Sequence, residues 1–234
     1  GTVQYLDLGT PQGGVVSPCL ANVFLHYVLD EWFAVEVQPR LRGPSSLIRF
    51  ADDFVMSFVC KEDAERVRRV LELRMNKYGL QVHPDKTRMV DFRRVLSRID
   101  PAVSALATTF QFLGFAHIWG KSRRGYLVVR QLIAKDRYAR VVKAFSDKCR
   151  VMRHDLLSDQ HRQLCQMLKG VFAYFGISGN AHRLGDLHCR ARSLWRYWLS
   201  RRSTRSRLTW ARFAAIEKTF PLPPPRIVHN YTGL

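Results

Sequence analysis

Long apolar runs are missing from this sequence of 234 residues: no stretch reaches the ~18 consecutive apolar positions of a membrane-crossing helix. No membrane partner is therefore expected. The chain opens Gly1-Thr2-Val3-Gln4, without Met and without a basic-then-apolar leader, and reads as a fragment or processed piece rather than a secretory precursor. Cysteine is scarce and odd in number. Cys19, Cys60, Cys149, Cys165 and Cys189 are scattered, and none forms a C-x-x-C pair. That pattern excludes a disulfide framework or a zinc ribbon and fits a reducing, cytoplasmic location. His182, His188 and Cys189 lie close together but read as surface and core positions of one helix rather than as metal ligands. Acidic residues are what the second half has least of. Residues 119–234 hold 24 Lys/Arg against 6 Asp/Glu, a net of +18, whereas residues 1–118 hold 14 against 13. A chain that is 47% hydrophobic has enough apolar material for a core, so the excess is not that of a disordered tail. It predicts a polyanionic partner, because each neutralised phosphate releases counterions. An anionic membrane fits less well, since no single helix pairs a wholly basic face with a wholly apolar one.

The patterning divides the chain near residue 130 into an α+β part and a basic helical part. Gly9-Thr10-Pro11-Gln12-Gly13-Gly14 is a loop. Ser17-Pro18 predicts a helix start, with Ser17 as N-cap. Leu20, Val23, Phe24, Tyr27 and Val28 predict one apolar face, continuing to about Phe33. Leu47-Ile48-Arg49-Phe50 and Phe54-Val55-Met56-Ser57-Phe58 predict two strands of a tight hairpin with Asp52 and Asp53 at its tip. A helix is expected from about Lys61 to Tyr78, with Ala64, Val67, Val70, Leu71 and Met75 inward and Gly79 as its stop. Strands are expected at Leu80–His83 and Met89–Phe92 around Pro84-Asp85-Lys86-Thr87, at Phe110–Phe115, and at Tyr126–Val129 after a turn near Gly120–Gly125. Beyond Ala134 the periodicity predicts helices over Asp136–Arg150, Asp159–Phe175, Ala181–Ser200 and Thr209–Thr219. In the third, Leu184, Leu187, Ala191, Leu194, Trp195 and Trp198 face inward. Residues 201–207 form a basic linker, and Pro221–Pro225 a stiff, polyproline-like segment.

Adjacent aspartates are common in solvated turns. Here strands pin them and apolar residues flank them, and two like charges beside apolar groups are costly without a cation. Hard divalent ions take carboxylate oxygens, and magnesium completes its shell with substrate phosphates. Two such ions about 4 Å apart can activate a primer 3′-hydroxyl and stabilise a leaving pyrophosphate.

Four segments then fall into order: Thr10-Pro11-Gln12-Gly13-Gly14 with Ser17-Pro18, Phe50-Ala51-Asp52-Asp53, Pro84-Asp85-Lys86-Thr87 and Phe112-Leu113-Gly114-Phe115. The set resembles reverse-transcriptase motifs B, C, D and E in sequence. Leu168-Lys169-Gly170-Val171-Phe172-Ala173-Tyr174-Phe175-Gly176-Ile177, Leu194–Leu199 and the Phe220–Ile227 segment are similar to the maturase domain of group II intron enzymes, which acts as the polymerase thumb. Retron and diversity-generating enzymes share the palm motifs but are not expected to share this tail.

The resemblance implies a partial right-hand polymerase palm over residues 1–130, an antiparallel sheet with helices, and an all-α basic thumb/maturase domain over 131–234. It implies an RNA-directed DNA polymerase of a group II intron that also binds intron RNA and assists splicing. Its substrates would be dNTPs and an RNA template with a DNA primer, and its cofactor Mg2+. Asp52 and Asp53 would bind the metal and be catalytic. Gln12 and Gly13 would lie near the incoming nucleotide and template, and Lys86 near the triphosphate as a charge stabiliser or proton donor. A surface lysine after a turn is the plainer reading of Lys86. Phe112, Leu113, Gly114 and Phe115 would form the primer grip. Arg201, Arg202, Arg205 and Arg207 would bind RNA phosphates. Tyr197 and Trp210 could stack on bases, whereas Trp195 and Trp198 read as core.

Polymerases of this kind use a third aspartate upstream of the glycine loop, and Asp7 lies too close to that loop to serve. The chain alone is therefore expected not to polymerise. The alternative is an RNA-binding maturase without polymerase activity. A nucleotidyl cyclase-like palm enzyme also carries paired acids, but leaves the Thr10–Gly14 loop, the Lys86 turn and the +18 tail unexplained.

Overall fold

The computed structural model describes residues 15–92, 109–122, 124–203 and 208–230. Two compact units divide between Asp91 and Phe92.

The first unit begins with helix α1 (Ser17–Leu25), which passes directly into a π-helix (His26–Val37) and a 3-10 turn (Gln38–Arg40). Cys19 and Leu20 donate to the Val16 carbonyl, so Val16 is the N-cap and Ser17 already lies inside the helix, one residue from its expected role. The expected apolar face also shifts. Leu20, Val23, Phe24 and Tyr27 are exposed, and the buried residues are Val28, Leu29, Trp32, Phe33 and Val37. Within that set Val28, Trp32 and Val37 are four and five residues apart, as the wider winding of an i→i+5 helix places them on one face. Strands β1 (Ser45–Phe50) and β2 (Asp53–Phe58) pair antiparallel from Ser45↔Phe58 to Phe50↔Asp53. Helix α2 (Lys61–Lys77) buries Val67, Leu71 and Met75, and Gly79 ends it at φ +71°, where glycine carries no Cβ penalty. Val70, expected inside, is exposed. Asp63 is buried instead, accepting from the Arg42 and Gly43 amides at 2.8 and 3.3 Å. It thereby holds the loop that feeds β1. The π-helix and α2 share one core, against which Leu47, Phe54, Met56 and Phe58 pack.

Leu80–His83 and Met89–Phe92 form no strands. Thr87 N–H instead closes a turn on the His83 carbonyl around Pro84–Lys86, and proline has no ladder donor. An apolar alternation without a hydrogen-bonding neighbour does not make a strand. Leu80 and Val82 still spend their apolar surface on the core.

The second unit opens on a three-stranded antiparallel sheet, β3 (Phe110–Phe112), β4 (Phe115–Lys121) and β5 (Leu127–Ile133). The single strand expected over Phe110–Phe115 is a hairpin, with Leu113 and Gly114 at its tip. The missed turn signal was Gly114, read as part of an aromatic strand. Four helices follow: α3 (Lys135–Val151), α4 (Leu157–Phe175), α5 (Ala181–Leu199) and α6 (Trp210–Thr219). All four lie within two residues of their expected spans. Thr209 caps α6 by accepting from the Arg212 amide. The core joins Phe145, Leu164, Leu168, Phe172, Leu184, Leu187, Trp195 and Phe213, among others.

Buried polar side chains tie this core together. Asn180 accepts from the Ile133 amide at 3.1 Å and donates to the Phe175 carbonyl at 3.2 Å, joining the end of β5 to the α4–α5 junction. Gln160 accepts from the Trp195 indole at 2.9 Å and donates to the Arg153 and Asp155 carbonyls. The segment after α6 returns across Gly176. Val228 and His229 both donate to the Gly176 carbonyl, and a Cβ on Gly176 would collide with the Phe172 and Arg226 carbonyl oxygens. Only glycine admits that approach.

Candidate active site

The β1–β2 hairpin presents the carboxylates. Phe50 and Asp53 are the last paired residues, so Ala51 and Asp52 alone form the loop, and Asp52 and Asp53 are both exposed. Ala51 has φ +53° and Asp52 is not left-handed. Positive φ at the first loop position only is the sign pattern of a type II′ turn, which suits the twist of the strands it joins. A Cβ in that region costs roughly 1–2 kcal/mol, so the turn is held by its surroundings.

Arg49 supplies much of that holding. Strand alternation puts Leu47 and Arg49 on the face toward the helices, whereas Ile48 and Phe50 face out. The guanidinium forks onto Asp30 in the π-helix, with Nε donating to Oδ1 at 2.8 Å and Nη2 to Oδ2 at 2.6 Å. Nη1 donates to the Asn22 side chain and to the Ala51 carbonyl, both at 2.9 Å. Asp30 holds the Arg49 pKa above its ordinary value, chiefly through the hydrogen bond and also by its charge. No motif in the sequence joins Arg49, Asp30 and Asn22. The available signal was a charged residue inside the apolar run Leu47–Phe50, two positions before the paired acids.

Lys86 is exposed in the Pro84–Lys86 turn. Gln12 and Gly13 lie outside the described residues. No group of three or more His, Cys, Asp or Glu gathers to hold a metal among the described residues. Two adjacent carboxylates open to solvent fit part of a hard-cation shell, one that draws its remaining oxygens from water and phosphate.

Residues 2–117 match the family described as reverse transcriptase (RNA-dependent DNA polymerase). The match spans just under half of the chain, and the Asp52–Asp53 hairpin lies within it. No curated protein matches the chain.

In the second unit, the Phe112–Phe115 tip is fixed to the helices. Leu113 (φ +51°) and Gly114 (φ +77°) are both left-handed, the type I′ pattern. The Tyr174 hydroxyl donates to the Leu113 carbonyl at 2.9 Å, Ala134 N–H donates to the Gly114 carbonyl at 3.0 Å, and Phe115 packs on Tyr174 and Phe175. The arginines expected to contact RNA differ from one another. Arg201 is exposed and lies over the Tyr197 ring at 4.4 Å. Arg202 donates to the Arg153 and Asp155 carbonyls, closing the α3–α4 loop. Arg205 and Arg207 lie outside the described residues. Trp195 is fully buried and Trp198 half-buried on Ser146, whereas Tyr197 and Trp210 are exposed, Trp210 beneath Arg196 at 4.3 Å. Asp136, Asp147, Asp159, Asp186 and Glu217 are already ion-paired to neighbouring cations, leaving Asp155 as the sixth acid of this region. The positive surplus thus has no internal counterpart.

Proposed function

We propose that this chain serves RNA-directed DNA synthesis by a group II intron enzyme that also binds its intron RNA and assists splicing. Residues 1–130 are the C-terminal part of the polymerase palm and residues 131–234 the thumb/maturase domain. The observation that carries the reading is the Asp52–Asp53 pair at a two-residue hairpin tip, inside the stretch that matches reverse transcriptases.

Asp52 and Asp53 would hold magnesium, which supplies Lewis-acid activation of the primer hydroxyl and charge neutralisation at the triphosphate. The chain's own contribution is orientation. The hairpin fixes where the carboxylates stand, Gln12 and Gly13 border the nucleotide and template, and Lys86 offers an ammonium or a proton to the departing pyrophosphate. Phe112 to Phe115 grip the primer. Arg201, with Arg205 and Arg207, would meet intron RNA phosphates, whereas Arg202 is committed to the Arg153 and Asp155 carbonyls, and Tyr197 and Trp210 are the rings available for stacking.

Two carboxylates are short of the three that this chemistry uses, so the chain alone leaves a poly(rA)/oligo(dT) primer unextended. Robust magnesium-dependent extension, abolished by Asp52→Asn, would overturn that statement while supporting the polymerase reading. The second reading, an RNA-binding maturase without polymerase activity, is favoured by the charge distribution. It is the one left standing if intron RNA is bound tightly and salt-sensitively while the coding frame read upstream of Gly1 supplies no further aspartate.

A further inference from the structure

The guanidinium of Arg49 is used on both of its edges, and side-chain exposure is down to 13%. Its anchors sit on one helical rod. Asn22 belongs to α1 and Asp30 to the π-helix, eight residues on. Around an α-helix, eight residues leave two side chains about 80° apart. The slower winding of the π segment closes that offset, and both reach the same guanidinium. A π-helical stretch is uncommon enough to need a purpose, and presenting this pair is one.

The atom that the guanidinium reaches in the turn is also specific. The Ala51 carbonyl belongs to the peptide between Ala51 and Asp52, the central peptide of the hairpin turn. Turn types II′ and I′ differ by a flip of that peptide, which carries the second loop residue from negative to positive φ. In the β3–β4 hairpin both loop residues are left-handed, whereas in the β1–β2 hairpin only Ala51 is. A donor on the Ala51 oxygen therefore selects one of two available turns, and the choice sets the backbone from which Asp52 projects.

We infer that Arg49 is a positioning residue for the paired carboxylates: anchored on Asp30 and Asn22, it locks the Ala51–Asp52 peptide in the orientation that presents Asp52. The importance of this role to catalysis rests on the proposal that Asp52 and Asp53 are the catalytic pair. The lock itself does not. It makes the α1–π rod and the carboxylate turn one mechanical piece.

The test uses the full chain and three readouts: amide exchange at Asp52 and Asp53, the φ-sensitive three-bond coupling at Asp52, and thermal unfolding. Arg49→Lys keeps the charge but cannot serve a carboxylate fork and a carbonyl together. Exchange at Asp53, the residue paired with Phe50 at the mouth of the turn, should rise about tenfold, and the coupling at Asp52 should move toward an averaged value. The reciprocal double variant Asp30→Arg with Arg49→Asp restores an ion pair between helix and strand but has no proton to give the Ala51 oxygen. It should recover thermal stability while turn exchange stays fast. Glu31→Gln, at an exposed position of the same helix, should change none of these. Unaltered exchange at Asp53 and unaltered coupling at Asp52 in Arg49→Lys would overturn the inference. So would a double variant that restores the turn along with stability, since the pair would then be a structural tether only. A Mn2+ titration runs beside this, with Asp52→Asn as its control. Arg49→Lys should weaken Mn2+ about tenfold if the pair is a metal site. A wild-type chain whose Mn2+ binding ignores Asp52→Asn would defeat the catalytic reading, with the Arg49 lock still decided by the amide data.

Discussion

The two units spend their residues differently. Among the described residues, the first buries eight apolar residues and one acid, Asp63, and leaves a row of α1 side chains exposed. The second buries seventeen apolar residues among those described, fifteen of them in one cluster, threads them with Gln160 and Asn180, and turns a large positive surplus to solvent. The polar groups show the same division. In the first unit, Arg49 bonds across to the carbonyl of the turn that carries Asp52. In the second, buried amides close the fold itself. A unit built around presenting two carboxylates can be thinly packed if one guanidinium holds the turn. A unit built as a charged platform has to hold itself together against its own repulsion.

Trp195→Ala tests whether the two units are stabilised separately. The ring is fully buried, packs edge-on to Phe213 at 5.7 Å and donates to Gln160. Its removal should cost about 3–5 kcal/mol and leave the Gln160 carbonyl oxygen without its donor. Monitored by a probe in each unit during urea unfolding, the loss should fall on the second unit alone. A concerted loss in both would show that the units are not separate in stability. Asn180→Ala follows, at about 1–3 kcal/mol, because it leaves the buried Ile133 amide without its acceptor and takes one of two donors from the Phe175 carbonyl, which keeps the Ile177 amide.

Arg201 and Arg202 sharpen the functional side of the comparison. Both were assigned to RNA by composition, yet only Arg201 is free of backbone carbonyl work. In filter binding across a salt series, Arg201→Gln should lower RNA affinity and reduce the logarithmic salt slope by about one, with the melting temperature unchanged. Arg202→Gln should instead lower the melting temperature by loosening the α3–α4 loop. Equal effects of the two on both measurements would erase the distinction.

These contrasts also mark how far the sequence could be read. Helices α3 to α6 were legible because their apolar residues recur at a period that only one geometry satisfies, and Thr209 is a cap by residue type alone. The β1–β2 hairpin was legible because only three residues separate two β-type runs, although Asp53, expected in the loop, pairs with Phe50 as the first residue of β2. What escaped depended on partners distant in sequence. The helical period failed at His26, where the winding changes without any proline or glycine to announce it. Val82 and Val90 carry β-type residues, but no neighbouring strand pairs with them in the described chain. Gly114 was hidden inside an aromatic run. At the candidate site, the acids announced themselves through their motif, whereas Arg49, Asp30 and Asn22 become a group only after a helix and a strand have been brought together.

The smallest expected effect tests whether the second unit's surface pairs contribute to its stability at all. The Tyr138 hydroxyl donates to Asp186 at 2.6 Å, and Arg190 joins the same carboxylate at 3.3 Å. Burial, and then the bond to Asp186, push the Tyr138 pKa up to about 12, while the same bond holds Asp186 below the usual carboxylate range. The signs differ. The depressed carboxyl adds stability that is present above its unfolded pKa and lost as pH falls through the folded one. The raised phenol adds stability that is present below its unfolded pKa near 10 and lost as pH rises toward 12. Tyr138→Phe removes both. The difference between wild type and variant should therefore be a plateau through neutral pH, closing in acid and again in strong base. Because Asp186 is exposed, its height should be only about 0.5 kcal/mol. Chemical denaturation of the second unit at several pH values reads it directly, and a difference that persists unchanged into acid would assign the effect to packing of the ring instead.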